Sequence, residues 1–167
     1  FGEFVCCWDG SLLVQGTSRK SSVSTSILPS SQDKGTLILE TFAPVTFSNF
    51  IAKAVKATAQ RIFFRGEGAL DEATLTPAKD SDLDAFCQTT LGSIISIKDL
   101  TFLRGVLTNF GSFAAERVTI GQGASFVNGG HATISTLQGQ GLFLNHGLFE
   151  GLVKMSILRF INRNNAF

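Results

Sequence analysis

The sequence predicts an all-β fold, a right-handed parallel β-solenoid (β-helix) in which near-identical turns of chain stack along one axis. Three observations predict it: an apolar–x–Asn–x–Gly pattern that recurs at turn-length spacing, sixteen Phe with no Tyr, and a charged content of only 16%.

The repeat is clearest over residues 107–167. Asn109, Asn128, Asn145 and Asn162 lie 19, 17 and 17 residues apart. Two positions before each stands a large apolar residue: Leu107, Phe126, Phe143 and Phe160. Two positions after come Gly111, Gly130, Gly147 and then Asn164, followed two further on by Phe113, Ala132, Phe149 and Ala166. Composition alone would put Phe two places ahead of fewer than one of the seven Asn, yet it precedes Asn49, Asn128, Asn145 and Asn162. Each slot has a physical reading. The Phe points into the core. The Asn turns the corner, and its amide can bond to the Asn of the next turn in a ladder. The Gly slot, also taken by Asn, suits a left-handed backbone. The last slot alternates large and small, as interdigitating layers require. Fainter copies reach upstream, with Phe47, Phe64 and Phe86 in the Phe slot and Gly66 in the Asn slot. A second shared stretch aligns Ile120 to Phe126 with Leu137 to Phe143. A period of about 17–22 is too short for helical or propeller repeats, and the spacing of leucine-rich repeats is absent.

The composition fits such a stack. Phe carries no hydroxyl and can be buried dry without a partner. Like charges on successive turns would face each other across about 4.8 Å, so walls of Ser, Thr, Gln and Asn are favoured.

In chain order, residues 1–35 read as an N-terminal hairpin and a Ser-rich loop, and residues 36–167 as the solenoid. Residues 3–8 and 11–15 flank Asp9-Gly10, a tight-turn signal. Residues 17–31 carry seven Ser and Pro29 and read as a flexible loop. Residues 51–60, rich in Ala and Lys, read as one short helix by propensity. Residues 71–84 are acidic and polar and are expected to protrude. The chain opens on Phe1, which reads as a piece excised from a longer protein.

Several function classes are disfavoured. A net charge of +1 gives no field for nucleic acid. No run reaches the roughly 18 apolar residues of a membrane span. Cys6, Cys7 and Cys87 show no zinc spacing, and buried free thiols are the leading reading. His131 and His146, with Glu150 nearby, read as exposed corner residues rather than metal ligands. Gly121, Gly123, Gly139 and Gly141 lack the GK[ST] of a phosphate loop and read as corners. Asp80, Asp82 and Asp84 are the one candidate metal cluster. Alternating carboxylates suit calcium, but the Gly and distal Glu of a full loop are missing, so a solvated acidic loop is expected and no cofactor.

The stretches from Phe126 to Gly130 and from Phe143 to Phe149 resemble the haemagglutinin-type repeats of filamentous-haemagglutinin-like exoproteins. These are two-partner-secretion adhesins, a class that includes contact-dependent inhibition toxins. The resemblance covers residues 107–167, and 47–86 weakly. It implies a β-helical shaft at the bacterial cell surface or outside the cell, with a host-cell or protein surface, or the rest of its own polypeptide, as partner. The expected function is a structural or adhesive scaffold. The alternatives are a polysaccharide lyase or hydrolase using Asp80, Asp82, Asp84 and Arg104, or the carrier solenoid of a toxin. One acidic loop is not an acidic groove, which favours the scaffold.

Overall fold

The computed structural model describes residues 3–5, 11–16, 23–26, 36–41, 45–59, 61–77 and 86–163. They form one parallel sheet of fourteen strands wound as a β-solenoid, with no helix.

In chain order the strands are β1 (Glu3–Val5), β2 (Ser11–Gly16), β3 (Val23–Ser26), β4 (Thr36–Thr41), β5 (Val45–Ala59), β6 (Arg61–Pro77) and β7 (Phe86–Thr89). They continue as β8 (Ile94–Phe102), β9 (Val106–Asn109), β10 (Ser112–Ile120), β11 (Ser125–Asn128), β12 (His131–Asn145), β13 (Leu148–Glu150) and β14 (Lys154–Asn162). Successive turns contribute to two columns. The first runs through β1, β3, the starts of β5 and β6, then β7, β9, β11 and the ends of β12 and β14. The second runs through β2, β4, the later halves of β5 and β6, then β8, β10, the start of β12, β13 and the start of β14.

Side chains alternate inward and outward along each strand, as a pleated backbone dictates. In the second column the alternation resets midway. Ile95 and Ile97 point inward, then Leu100 and Phe102, and Lys98 has no register partner while Ile97 and Asp99 both do. The strand thus turns a corner inside the sheet, and each turn consists of three straight runs around one core. That core extends unbroken from Val45 to Phe143 and holds aliphatic and Phe side chains at essentially zero exposure.

Four expectations are corrected. Residues 3–5 and 11–16 form no hairpin: β1 pairs in parallel with β3, and β2 with β4. The turn signal at Asp9-Gly10 lies outside the described residues, and pairing comes from chain about 20 or more positions away. Within the Ser-rich stretch, Val23–Ser26 is a strand clamped between β1 and β5. The segment read as helical is the second half of β5. There Val55, Ala57 and Ala59 are buried while Lys56 and Thr58 face out, a period of two. Parallel partners on both edges, Ile38↔Lys56 and Lys56↔Thr74 among them, override the helical propensity of Ala and Lys. Last, Asp71 to Pro77 does not protrude but continues β6 against β5 and β8.

Candidate functional site: the corner column and the outer walls

The first column shares one register from end to end. Val45, Ile62, Cys87, Leu107, Phe126, Phe143 and Phe160 stand in one inward file, and Phe47, Phe64, Thr89, Asn109, Asn128, Asn145 and Asn162 in the next. The upstream phase therefore differs from the sequence reading by two residues. Phe47 and Phe64 occupy the Asn file, stacked at 5.2 Å between ring centroids with an interplanar angle of 17°. Cys87, not Phe86, is the inward residue of its turn, and Asn49 falls at a register shift between Ser48 and Phe50.

From Thr89 onward the file is polar and buried. Thr89 Oγ1 donates to Asn109 Oδ1 at 2.5 Å. The Nδ2 groups of Asn109, Asn128 and Asn145 then donate to Oδ1 of Asn128, Asn145 and Asn162 at 2.9, 2.7 and 2.9 Å. Each Nδ2 also reaches a backbone carbonyl: His131 and Gly111 for Asn109, Leu148 for Asn128, Gly147 for Asn145. Backbone amides of the next corner close the set, with Gly129 and Gly130 N–H on Asn109 O, and His146 and Gly147 N–H on Asn128 O. A corner buried at 0% exposure thus leaves its amides satisfied, which low-dielectric burial demands. Sequence reasoning missed Thr89, although Cys87-Gln88-Thr89 carries the same apolar–x–polar signal.

Gly111, Gly130 and Gly147 are needed for a different reason from the one expected. None has the positive φ that Gly123 (76°) and Gly139 (119°) show. Instead the neighbouring turn's backbone passes too close for a side chain: a Cβ at Gly130 would lie 2.8 Å from the carbonyl carbon of Phe110, and one at Gly147 2.9 Å from that of Gly129. The second aligned stretch is also shifted. Phe126 faces Phe143, but Ile120 faces Gly139 and Val118 faces Leu137. The Ile120 side chain fills the space that a Cβ on Gly141 would need.

Inside, Phe126 meets Phe143 edge-on at 5.1 Å, and Phe143 lies flat against Phe160 at 5.5 Å and 2°. Phe113, Ala132 and Phe149 share a file, with small Ala132 between the two rings. Cys87 is a buried free thiol, and desolvation pushes its pKa well up. It is therefore expected to resist alkylating reagents in the native protein, with a labelling rate that tracks unfolding. Rapid native labelling, followed by mass spectrometry, would contradict its inward placement.

His131 is in register with Leu148 rather than with His146. His131 Nε2 instead lies 3.3 Å from Glu150 Oε2 and 3.4 Å from Thr133 Oγ1 at the surface. Among the described residues no three His, Cys, Asp or Glu side chains converge for a metal. Asp80, Asp82 and Asp84 lie outside the described residues. Arg104 is exposed.

Two outer walls differ in chemistry. In the second column Thr74, Thr101, Thr119, Gln138 and Ser156 form one outward polar file, with Gln138 Nε2 donating to Thr119 Oγ1 at 3.0 Å. Beside it Asp99 pairs with Arg117 of the next turn at 3.1 Å, opposite charges where like ones would repel. The first column's wall mixes apolar and polar side chains. Phe63, Val127, Leu144 and Ile161 share an outward file with Gln88 and Thr108, and Phe86, Val106 and Leu142 stand in the file beside it with Arg61, Ser125 and Arg159. Arg61 lies over the Phe86 ring at 5.5 Å. No protein-family model, curated protein or solved structure matches the chain.

Proposed function

We propose that this chain is a structural, adhesive scaffold segment of a larger secreted or cell-surface protein, which holds a flat wall toward a host-cell or protein surface. The observation that carries the reading is the outer wall of the first column, where Phe63, Phe86, Val106, Val127, Leu144 and Ile161 face outward on in-register strands. Val106 is 41% exposed, although its neighbour Leu107 is 2% exposed. Outward apolar side chains grouped on one face are a common mark of a binding face. A stacked parallel sheet also keeps that surface flat and stiff, since its inner strands are tied on both edges. The similarity of the Phe-x-Asn-x-Gly turns to haemagglutinin-type repeats points the same way.

The test is binding of the purified chain to host cells and to immobilised extracellular proteins. Val127→Gln combined with Leu144→Gln should weaken binding at least roughly tenfold, because two apolar contacts are lost and two amides would have to be desolvated on contact. Both positions face outward, so the thermal midpoint should stay within a few degrees of the parent. Binding that survives the double substitution, or that the parent chain lacks altogether, sinks the reading.

A further inference from the structure

Charge is divided unevenly between the two columns. In the described segments between Val45 and Arg163, the acidic residues Glu67, Asp71, Glu72, Asp99, Glu116 and Glu150 all fall in the second column, interspersed with Lys56, Lys98, Arg117 and Lys154. Over the same segments the first column carries no carboxylate and four arginines: Arg61 and Arg65 on one turn, Arg159 and Arg163 on another. Arg163 takes the corner position, since its N–H donates to Asn145 O as His146 N–H donates to Asn128 O. Between the two pairs, the first-column strands that start at Phe86, Val106, Ser125 and Leu142 hold no Asp, Glu, Lys or Arg. Strand geometry sets the pairs about 24 Å apart along the axis, and the two members of a pair about 13 Å apart along the strand. Arg65, Arg159 and Arg163 are exposed.

We propose that the first-column wall docks on an anionic lipid bilayer, with the arginines at the headgroups and the outward file of Val127, Leu144 and Ile161 at the boundary with the acyl chains. Guanidinium groups so far apart cannot share one phosphate, so the matching partner carries negative charge spread over a plane. The aliphatic file gains by leaving water only where apolar matter lies just beneath that charge, as it does at the bilayer interface. A glycan would instead set hydroxyls against Val, Leu and Ile, which offer no hydrogen bond. Long Arg stems can bend to keep the guanidinium among headgroups while the sheet lies flat. Each is worth roughly fivefold in affinity for an anionic surface. The carboxylates of the second column fix the orientation, because that side is repelled. The inference rests on the reading of this wall as the binding face and names its partner.

The test is flotation of the full chain with vesicles of phosphatidylcholine alone and of phosphatidylcholine mixed with phosphatidylserine. The chain should float with the anionic vesicles and not with the neutral ones, and added salt should release it by screening. Arg65→Gln combined with Arg163→Gln should weaken the partition roughly 25-fold. Lys98→Gln combined with Lys154→Gln removes the same net charge from the second column and should leave it unchanged. If the arginine variant fails to fold, lipid composition and salt on the unmodified chain decide the matter. Equal flotation with both lipids, insensitivity to salt, or equal losses from the two pairs of substitutions would overturn the proposal. So would capture by a sulfated polysaccharide without vesicle binding, which would give the face to an anionic glycan. A chain that holds immobilised proteins through Val127 and Leu144 but ignores vesicles would sink this inference alone. One that floats with anionic vesicles but holds neither cells nor proteins would sink the adhesive reading alone.

Discussion

Replacing Phe143 with Ala is expected to cost about 3–5 kcal/mol of unfolding free energy, the range for removing a fully buried ring. Phe143 has no exposed surface and touches rings on three sides: Phe126 at 5.1 Å, Phe149 at 4.9 Å and Phe160 at 5.5 Å. A strand tied to β11 on one edge and to β14 on the other cannot collapse into the void without breaking its register. Equilibrium denaturation gives the magnitude, and two controls give it meaning. Phe160→Ala should cost distinctly less, because that ring is already partly exposed. Hydrogen exchange should also show the loss to be local. In a stack where each turn contacts only its neighbours, a defect at Phe143 uncouples β14 from the turns before it. Amides of β14 should then exchange much faster, and those of β8 little changed. A Phe143→Ala chain as stable as the Phe160→Ala chain would contradict the order of the turns.

What could be read from residues alone divides along a physical line. The turns carrying Phe126, Phe143 and Phe160 have constant spacing, and constant spacing in a stack means identical register, so the Phe and Asn files of the C-terminal half are legible. The upstream phase is not, because a slip of two residues leaves every side chain on the same face of a strand. Phe47 and Phe64 satisfy the alternation whether they occupy the Phe file or the Asn file, and only pairing to Thr89 and Asn109 places them. Local signals misled where the partner was distant. The Asp-Gly turn signal and the Ala/Lys composition describe what a short segment prefers alone, whereas β1, β2 and β5 are fixed by parallel neighbours. The corner glycines were found by position but misread in cause: a positive φ and a close backbone pass both select Gly. The outward apolar side chains of the first column carry no pattern until the files are aligned.

Asn128→Leu is the second large effect, expected at about 2–4 kcal/mol although the side chains are similar in volume. The substitution leaves Asn109 Nδ2 without its side-chain acceptor, and removes the donor from Asn145 Oδ1 and one from the Leu148 carbonyl. Groups stranded at near-zero exposure cost roughly 1–3 kcal/mol each, reduced where a second bond remains, as it does for Asn109 through the His131 carbonyl. Asn128→Thr should cost less, since a hydroxyl already serves the file at Thr89. The decisive measurement is non-additivity. The file is apolar at Phe47 and Phe64 and polar from Thr89 on, so an apolar residue is tolerated beside another apolar residue and penalised beside an amide. Asn109→Leu combined with Asn128→Leu should therefore destabilise by clearly less than the two single changes added together, because the broken Asn109–Asn128 bond is counted in both. Denaturation of the two single variants and the double variant gives the coupling. Additive losses would show that each amide acts through its own corner and that no ladder energy runs along the stack.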